Sequence, residues 1–167
     1  LGDVFIHNLR GDALIRNNRI TINMFRGDVG EGGKFFFSGK IKDFIYDLSF
    51  DFKISFEDAV INHLWYFSGM GSGEITLKTV EGHTAMSGEV RVENGLVAGE
   101  FGEMFAAKDF LEIKGMDMNV HILADNNVWL KNSLANIELS TDFYYKRERK
   151  TDRVFFSGSI QTLKGTV

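Results

Sequence analysis

The chain contains no cysteine and no proline. Without cysteine there is no disulfide framework, no thiolate metal site and no thiol nucleophile. Such a chain suits a reducing cytosol or a periplasm, so cysteine usage leaves the compartment open. An average composition of about 5% proline would give roughly eight residues in this length. A residue without an N–H fits poorly inside a hydrogen-bonded ladder, so its absence points toward long, regular strands. No run of 18 or more apolar residues occurs, which excludes a transmembrane helix within this stretch. The charge, -4 overall, is spread over both signs and forms no basic footprint of the kind a nucleic-acid partner needs. Leu1-Gly2-Asp3 offers neither an initiator methionine nor the start of a signal peptide, so we expect a segment of a longer protein.

What is present is phenylalanine and glycine, at 16 and 18 of 167 residues. Hydrophobic residues make up 44% and charged residues 25%, a globular composition of about one domain. Period-2 alternation dominates. In Phe44-Ile45-Tyr46-Asp47-Leu48-Ser49-Phe50-Asp51-Phe52-Lys53-Ile54 every even position is apolar, and apart from Ile45 every odd one is polar. A strand puts successive side chains on opposite faces, so this stretch reads as one long strand, greasy on one side. Ile20, Ile22 and Met24 alternate in the same way, as do Met116, Met118, Val120 and Ile122. Ile137, Leu139 and Phe143 share one face, and Val154, Phe156 and Ile160 share another. Turn-forming residues at 17–18, 27–28, 30–33, 93–95 and 125–127 divide the chain into about ten strands.

One segment departs from the alternation. Ser55-Phe56-Glu57-Asp58 has the look of a helix cap, with Val60, Ile61, Leu64 and Trp65 at helical spacing behind it and Gly69 as a stop. The spacing predicts a short helix over roughly 56–66, and a second helical stretch is expected at Glu103 to Leu111. The string Ser-Gly-x-(Ile/Val) occurs at Ser38-Gly39-Lys40-Ile41, Ser87-Gly88-Glu89-Val90 and Ser157-Gly158-Ser159-Ile160. Its uneven spacing suggests similar hairpin units laid side by side.

The search for chemistry finds little. The run from Gly27 to Lys34 resembles a phosphate loop only superficially. Asp28 stands where its first glycine belongs, and Phe35 follows Lys34 instead of Ser or Thr. Gly69-Met70-Gly71-Ser72-Gly73 lacks the third glycine of a dinucleotide fingerprint, because Glu74 follows. His7, His63, His83 and His121 show no local metal or catalytic spacing, and no Gly-x-Ser-x-Gly elbow occurs. We expect no catalytic residue, no metal site and no cofactor. Lys146-Arg147-Glu148-Arg149-Lys150, with Arg153 nearby, reads first as a solvated hairpin tip, and alternatively as a contact for anionic lipid headgroups.

The apolar face remains. Ile20, Ile22, Phe44, Tyr46, Leu48, Phe50, Phe52, Ile54, Met116, Met118, Val120, Ile122, Ile137, Leu139, Val154, Phe156 and Ile160 are its candidate lining. Alternating strands commonly form a sealed sandwich core. The strand length, the phenylalanine excess and the lack of a helical second layer favour a curved sheet that stays partly open. Phe and Met suit acyl chains, because apolar burial is non-directional and methionine repacks readily. The fold expected is all-β, a long curved and mostly antiparallel sheet with an apolar interior groove and one or two short helices.

Gly115-Met116-Asp117-Met118-Asn119-Val120-His121-Ile122, then Val128-Trp129-Leu130-Lys131-Asn132 and Ala135-Asn136-Ile137-Glu138-Leu139-Ser140, resemble the carboxy-terminal region of the TamB family in the AsmA-like group. Residues 156–167 are similar to the same region, and Gly73–Leu77 with Ser87–Gly95 resembles its repeat, as does Asn18–Ile22 leading to Gly30–Phe35. That family often has proline before the Ser-Gly step, where this chain reads His83-Thr84-Ala85-Met86. The resemblance implies a taco-like β-sheet spanning the periplasm from an inner-membrane anchor. Its implied cargo is phospholipid, and its implied partner is an outer-membrane barrel of the TamA (Omp85-like) type, docked through regions outside this stretch. It also implies a part in outer-membrane protein assembly. Two alternatives share the sequence features: a chaperone-like module that captures unfolded strands by β-edge pairing, and an LptA-like carrier of lipopolysaccharide.

Overall fold

Alternating side chains and a ladder without proline produce strands longer than the usual five or six residues. The computed structural model describes residues 5–43, 45, 48–64, 67–99 and 115–166. Among them are nine strands: β1 (Ile6–Arg16), β2 (Arg19–Val29), β3 (Gly33–Lys42), β4 (Ser49–Leu64), β5 (Phe67–Val80), β6 (His83–Ala98), β7 (Met116–Lys131), β8 (Asn136–Glu148) and β9 (Arg153–Thr166). They form one open, curved sheet in strict chain order, from β1 at one edge to β9 at the other. Every neighbouring pair is antiparallel except β6 and β7, which run parallel. Tight turns explain several of the reversals. Asn17 and Asn18, both at positive φ, join β1 to β2, and Glu81 with Gly82 joins β5 to β6.

No helix occurs among the described residues, so the expected helix over 56–66 is corrected: residues 56–64 continue β4. The cause is a β-bulge. Phe56 pairs with Gly73 and Ala59 with Gly71, so Glu57 and Asp58 together oppose Ser72. Asp58 adopts a left-handed φ of 50°, and its N–H donates to Ser72 Oγ at 3.0 Å. A second register shift, between Ile61 and Leu64, turns a step of two into a step of three and so imitates helical spacing. The second helical stretch, Glu103 to Leu111, lies outside the described residues.

Bulges also account for turn signals that proved not to be turns. Gly27-Asp28 lies within β2, Glu93–Gly95 within β6 and Asp125–Asn127 within β7. Asn127, at φ 58°, sits where the β7–β8 register slips between Ala124 and Val128. The expected break at 30–33 is a real turn over 30–32, closed across its base by an ion pair of 2.7 Å between Lys34 and Asp28. The irregularities of β4, β6 and β7 lie side by side, because Gly71 pairs with Ala59 on one flank and Val92 on the other. Beside them β5 presents Gly69, Gly71 and Gly73. Bulges and glycines together bend a sheet, and here they share one line across it.

The long strand read over Phe44–Ile54 starts later than expected and runs further, to Leu64. β4 begins at Ser49, Asp43 has a positive φ, and Ile45 lies in a turn. Leu48 precedes the strand and is 57% exposed, so it stands in the loop before β4 and not within a strand as expected. Phe44 and Tyr46 lie outside the described residues.

Candidate functional site: the apolar face

Register fixes which side chains share a face, since directly paired residues point the same way. Starting from Ile20, the pairing runs Ile20–Ile41–Phe50 across β2, β3 and β4. A second line runs Phe25–Phe37–Ile54–Ile75–Gly88–Val120–Tyr145–Phe156 across β2 to β9. A third joins Ile22, Gly39, Phe52, Leu77, Met86, Met118, Arg147 and Val154. Ile122 pairs with Phe143, Leu139 with Val128, Ile137 with Leu130, Ile160 with Thr141, and Met116 with Thr84. The described candidates other than Leu48 therefore all fall on one side of the sheet. Among the paired positions of that side no carboxylate occurs, and Arg147 is the only full charge.

Burial along this face is graded. Met116, Met118 and Tyr145 form a buried cluster, with Met118 at 4% exposure, packed by Leu77, Met86 and Ile122. On β7 the alternation is sharp: Met116, Met118 and Val120 are buried, while Asp117 and Asn119 are exposed. Toward β2–β4, Phe25, Phe35, Phe37, Phe50, Phe52 and Ile54 are only half-buried. At the β9 edge Phe156 is 66% exposed, and Val154 and Ile160 are exposed too. Ring contacts knit the surface. Phe52 lies 5.1 Å from both Phe37 and Phe50, and Phe156 meets Tyr145 edge-on at 5.5 Å. Across the bend line the face is floored by small residues, Ala59, Gly69, Gly71, Gly73 and Gly95.

The repeat glycines belong to this face as well. Gly39, Gly88 and Gly158 pair with Phe52, Ile75 and Phe143, whose side chains occupy the space a Cβ would need. Phe25, Phe35, Phe37, Phe56, Leu77, Met86 and Tyr145 were missed as lining residues. The β2 bulge hides the first by shifting parity, the helix reading of Ser55–Asp58 hides the fourth, and Phe35-Phe36-Phe37 shows no alternation at all. Only the cross-strand pairing, Phe37 with Ile54 and Phe35 with Phe56, reveals them.

Arg147 breaks the apolar rule and is dealt with locally. It is buried, and its Nε donates to Asp152 Oδ1 in the β8–β9 turn at 2.9 Å. The charged run around it is thus split by the pleat: Arg147 turns toward the apolar side, whereas Lys146 and Glu148 are exposed on the other.

The opposite face holds a cluster of titratable groups. His121 is clasped between strands, with Nδ1 3.2 Å from Glu89 on β6 and Nε2 2.8 Å from Asp142 on β8. Its ring stacks on Tyr144 with centroids 4.3 Å apart. The Asp142 hydrogen bond, and then that of Glu89, hold the imidazole pKa above its ordinary value against partial burial. Each ring nitrogen meets a different carboxylate, so the arrangement is a clasp and not a metal site. No group of three metal-binding side chains occurs among the described residues. Glu138 accepts from Lys164 and from the Asn127 N–H, which hold its carboxyl below the usual range.

Comparison with models of protein families, with curated proteins and with solved structures finds no match for this chain. The geometry alone therefore defines what the face can do. It offers a continuous apolar strip with no hydrogen-bond code, suited to ligands recognised by burial. Each methylene laid on it contributes about 0.8 kcal/mol.

Proposed function

We propose that this chain is a non-enzymatic segment of a periplasmic bridge that conducts phospholipids between membranes along its apolar β-face, with a part in outer-membrane protein assembly. The observation that carries the reading is the apolar face itself. It crosses all nine strands, bears no carboxylate at its paired positions, and keeps its phenylalanines partly reachable from outside. A sealed sandwich would bury such residues against a second sheet, whereas here one sheet holds every strand described. The likeness of residues 115–140 to the TamB family points the same way, toward an inner-membrane-anchored protein with a barrel partner of the TamA type.

The test uses a photoreactive residue at Phe50 or Phe156 on the apolar face, with Lys53 and Ser157 on the polar face as controls. Phospholipid adducts are expected at the first pair and not at the second, and Phe50→Arg should abolish adducts at Phe156 while leaving the chain folded. Equal labelling of both faces, or no lipid adduct and no lipid in native mass spectra, would sink the conduit.

A second reading is favoured by β9. All 14 of its residues are exposed, so its outer backbone groups offer a template for an added strand. A module that captures unfolded strands by edge pairing would give peptide adducts along β9 in place of lipid adducts at Phe50.

A further inference from the structure

The polar face of β1–β3 carries a charge imbalance that the rest of the chain does not share. Residues 6–42 hold seven Lys and Arg against three Asp and Glu, in a chain whose net charge is -4. Register places all seven cations on one side, opposite the apolar face. Arg10 pairs directly with Arg26, and Arg16, Arg19 and Lys42 form an unbroken row across three strands. Like charges directly opposite one another destabilise a sheet, so stability does not explain these residues. Among the described residues none of the four arginines has a carboxylate partner. Asp28 is taken by Lys34 and Asn8, and Asp12 by the Asn23 amide.

The arginines are also shaped into two hollows. One, of about 380 Å³, is lined by Leu14, Arg16, Asn17, Arg19 and Thr21. The other, of about 370 Å³, is lined by Arg10, Gly11, Asp12, Met24 and Arg26. Each joins two arginines to one exposed aliphatic side chain, Leu14 at 59% and Met24 at 49% exposure. Two guanidinium groups match a phosphodiester oxyanion, and the neighbouring aliphatic chain matches the apolar material next to that phosphate in a lipid. Among the described residues no aromatic ring lines either hollow for a base to stack on, which disfavours single-stranded nucleic acid.

We infer that the polar face of β1 and β2 is a docking surface for an anionic phospholipid bilayer, each Arg10/Arg26 and Arg16/Arg19 hollow receiving one phosphate headgroup. This surface lies on the opposite side of the sheet from the apolar face, and the inference stands whether or not that face carries lipid.

The test is co-sedimentation of the chain with phosphatidylcholine vesicles, with and without phosphatidylglycerol. Binding is expected only to the anionic vesicles and should weaken with added salt. Each cation near a membrane surface contributes roughly fivefold, so R10Q/R26Q and R16Q/R19Q should each weaken binding by about tenfold or more. The control K78Q/K131Q, which removes two cations elsewhere on the polar face, should leave it unchanged. Thermal unfolding separates the docking role from a structural one, because both arginine variants should melt no lower than the parent. Equal affinity for neutral vesicles, an equal loss in the control, or undiminished binding by both arginine variants would overturn the inference. So would duplex DNA that displaces the vesicles at equal phosphate concentration.

Discussion

At the scale of single residues, His121 is the group whose chemistry depends most on pH. Its folded pKa lies above the ordinary 6.5, because Asp142 and Glu89 both favour the imidazolium. The stabilisation is therefore fully present below pH 6.5 and lost as pH rises through the folded value. Urea unfolding of the parent and of His121→Gln at acidic and alkaline pH should show a stability gap that narrows toward alkaline pH. A gap independent of pH would mean the clasp contributes packing alone. Glu138 has the opposite sign: its folded pKa lies below 4.5, so its contribution is present above that value and lost on further acidification. None of this was legible in the sequence, where His121 is one of four scattered histidines. Its partners lie 32 and 21 residues away and meet it only through strand register.

At the scale of the strand, the repeated Ser-Gly step has a mechanical meaning. Gly39 and Gly158 sit at φ 153° and 145°, a region open to glycine and poorly tolerated by other residues. A Cβ at either would also overlap a carbonyl oxygen of the next strand, Asp51 or Asp142. Gly158→Ala should accordingly destabilise by about 1–3 kcal/mol, measured by chemical denaturation. Gly82→Ala, also at positive φ but facing open space, should cost less. Equal costs would show that φ alone matters. The sequence made the strands legible wherever alternation was unbroken, as in Phe50–Ile54 and Met116–Ile122. It misled where a bulge intervened, because Asn, Asp and Gly serve a bulge within a strand as readily as a turn between strands. Ser55–Asp58 reads as a cap for the same reason: the residue types that satisfy a helix end also satisfy a left-handed bulge.

At the scale of the molecule, every strand among the described residues pairs only with its neighbours in the chain, so stability is close to a sum of adjacent interfaces. Amide exchange should follow that order, slowest in β7, whose apolar positions are the most buried, and fastest in β1 and β9. Uniform protection would instead mean that a second layer or a second copy covers the edges. The all-β class and the one-sided face could be read from the pattern of phenylalanine, methionine and isoleucine. The arginine rows could not, because Arg10 and Arg26 become neighbours only when β1 folds onto β2. The parallel step between β6 and β7 has one more consequence. Nine strands alternating without interruption would leave both borders of the sheet pointing the same way. The single parallel step reverses one of them, so β1 and β9 run in opposite senses. Copies added in series, border to border, would then meet in the antiparallel arrangement, whose hydrogen bonds are the straighter and stronger of the two.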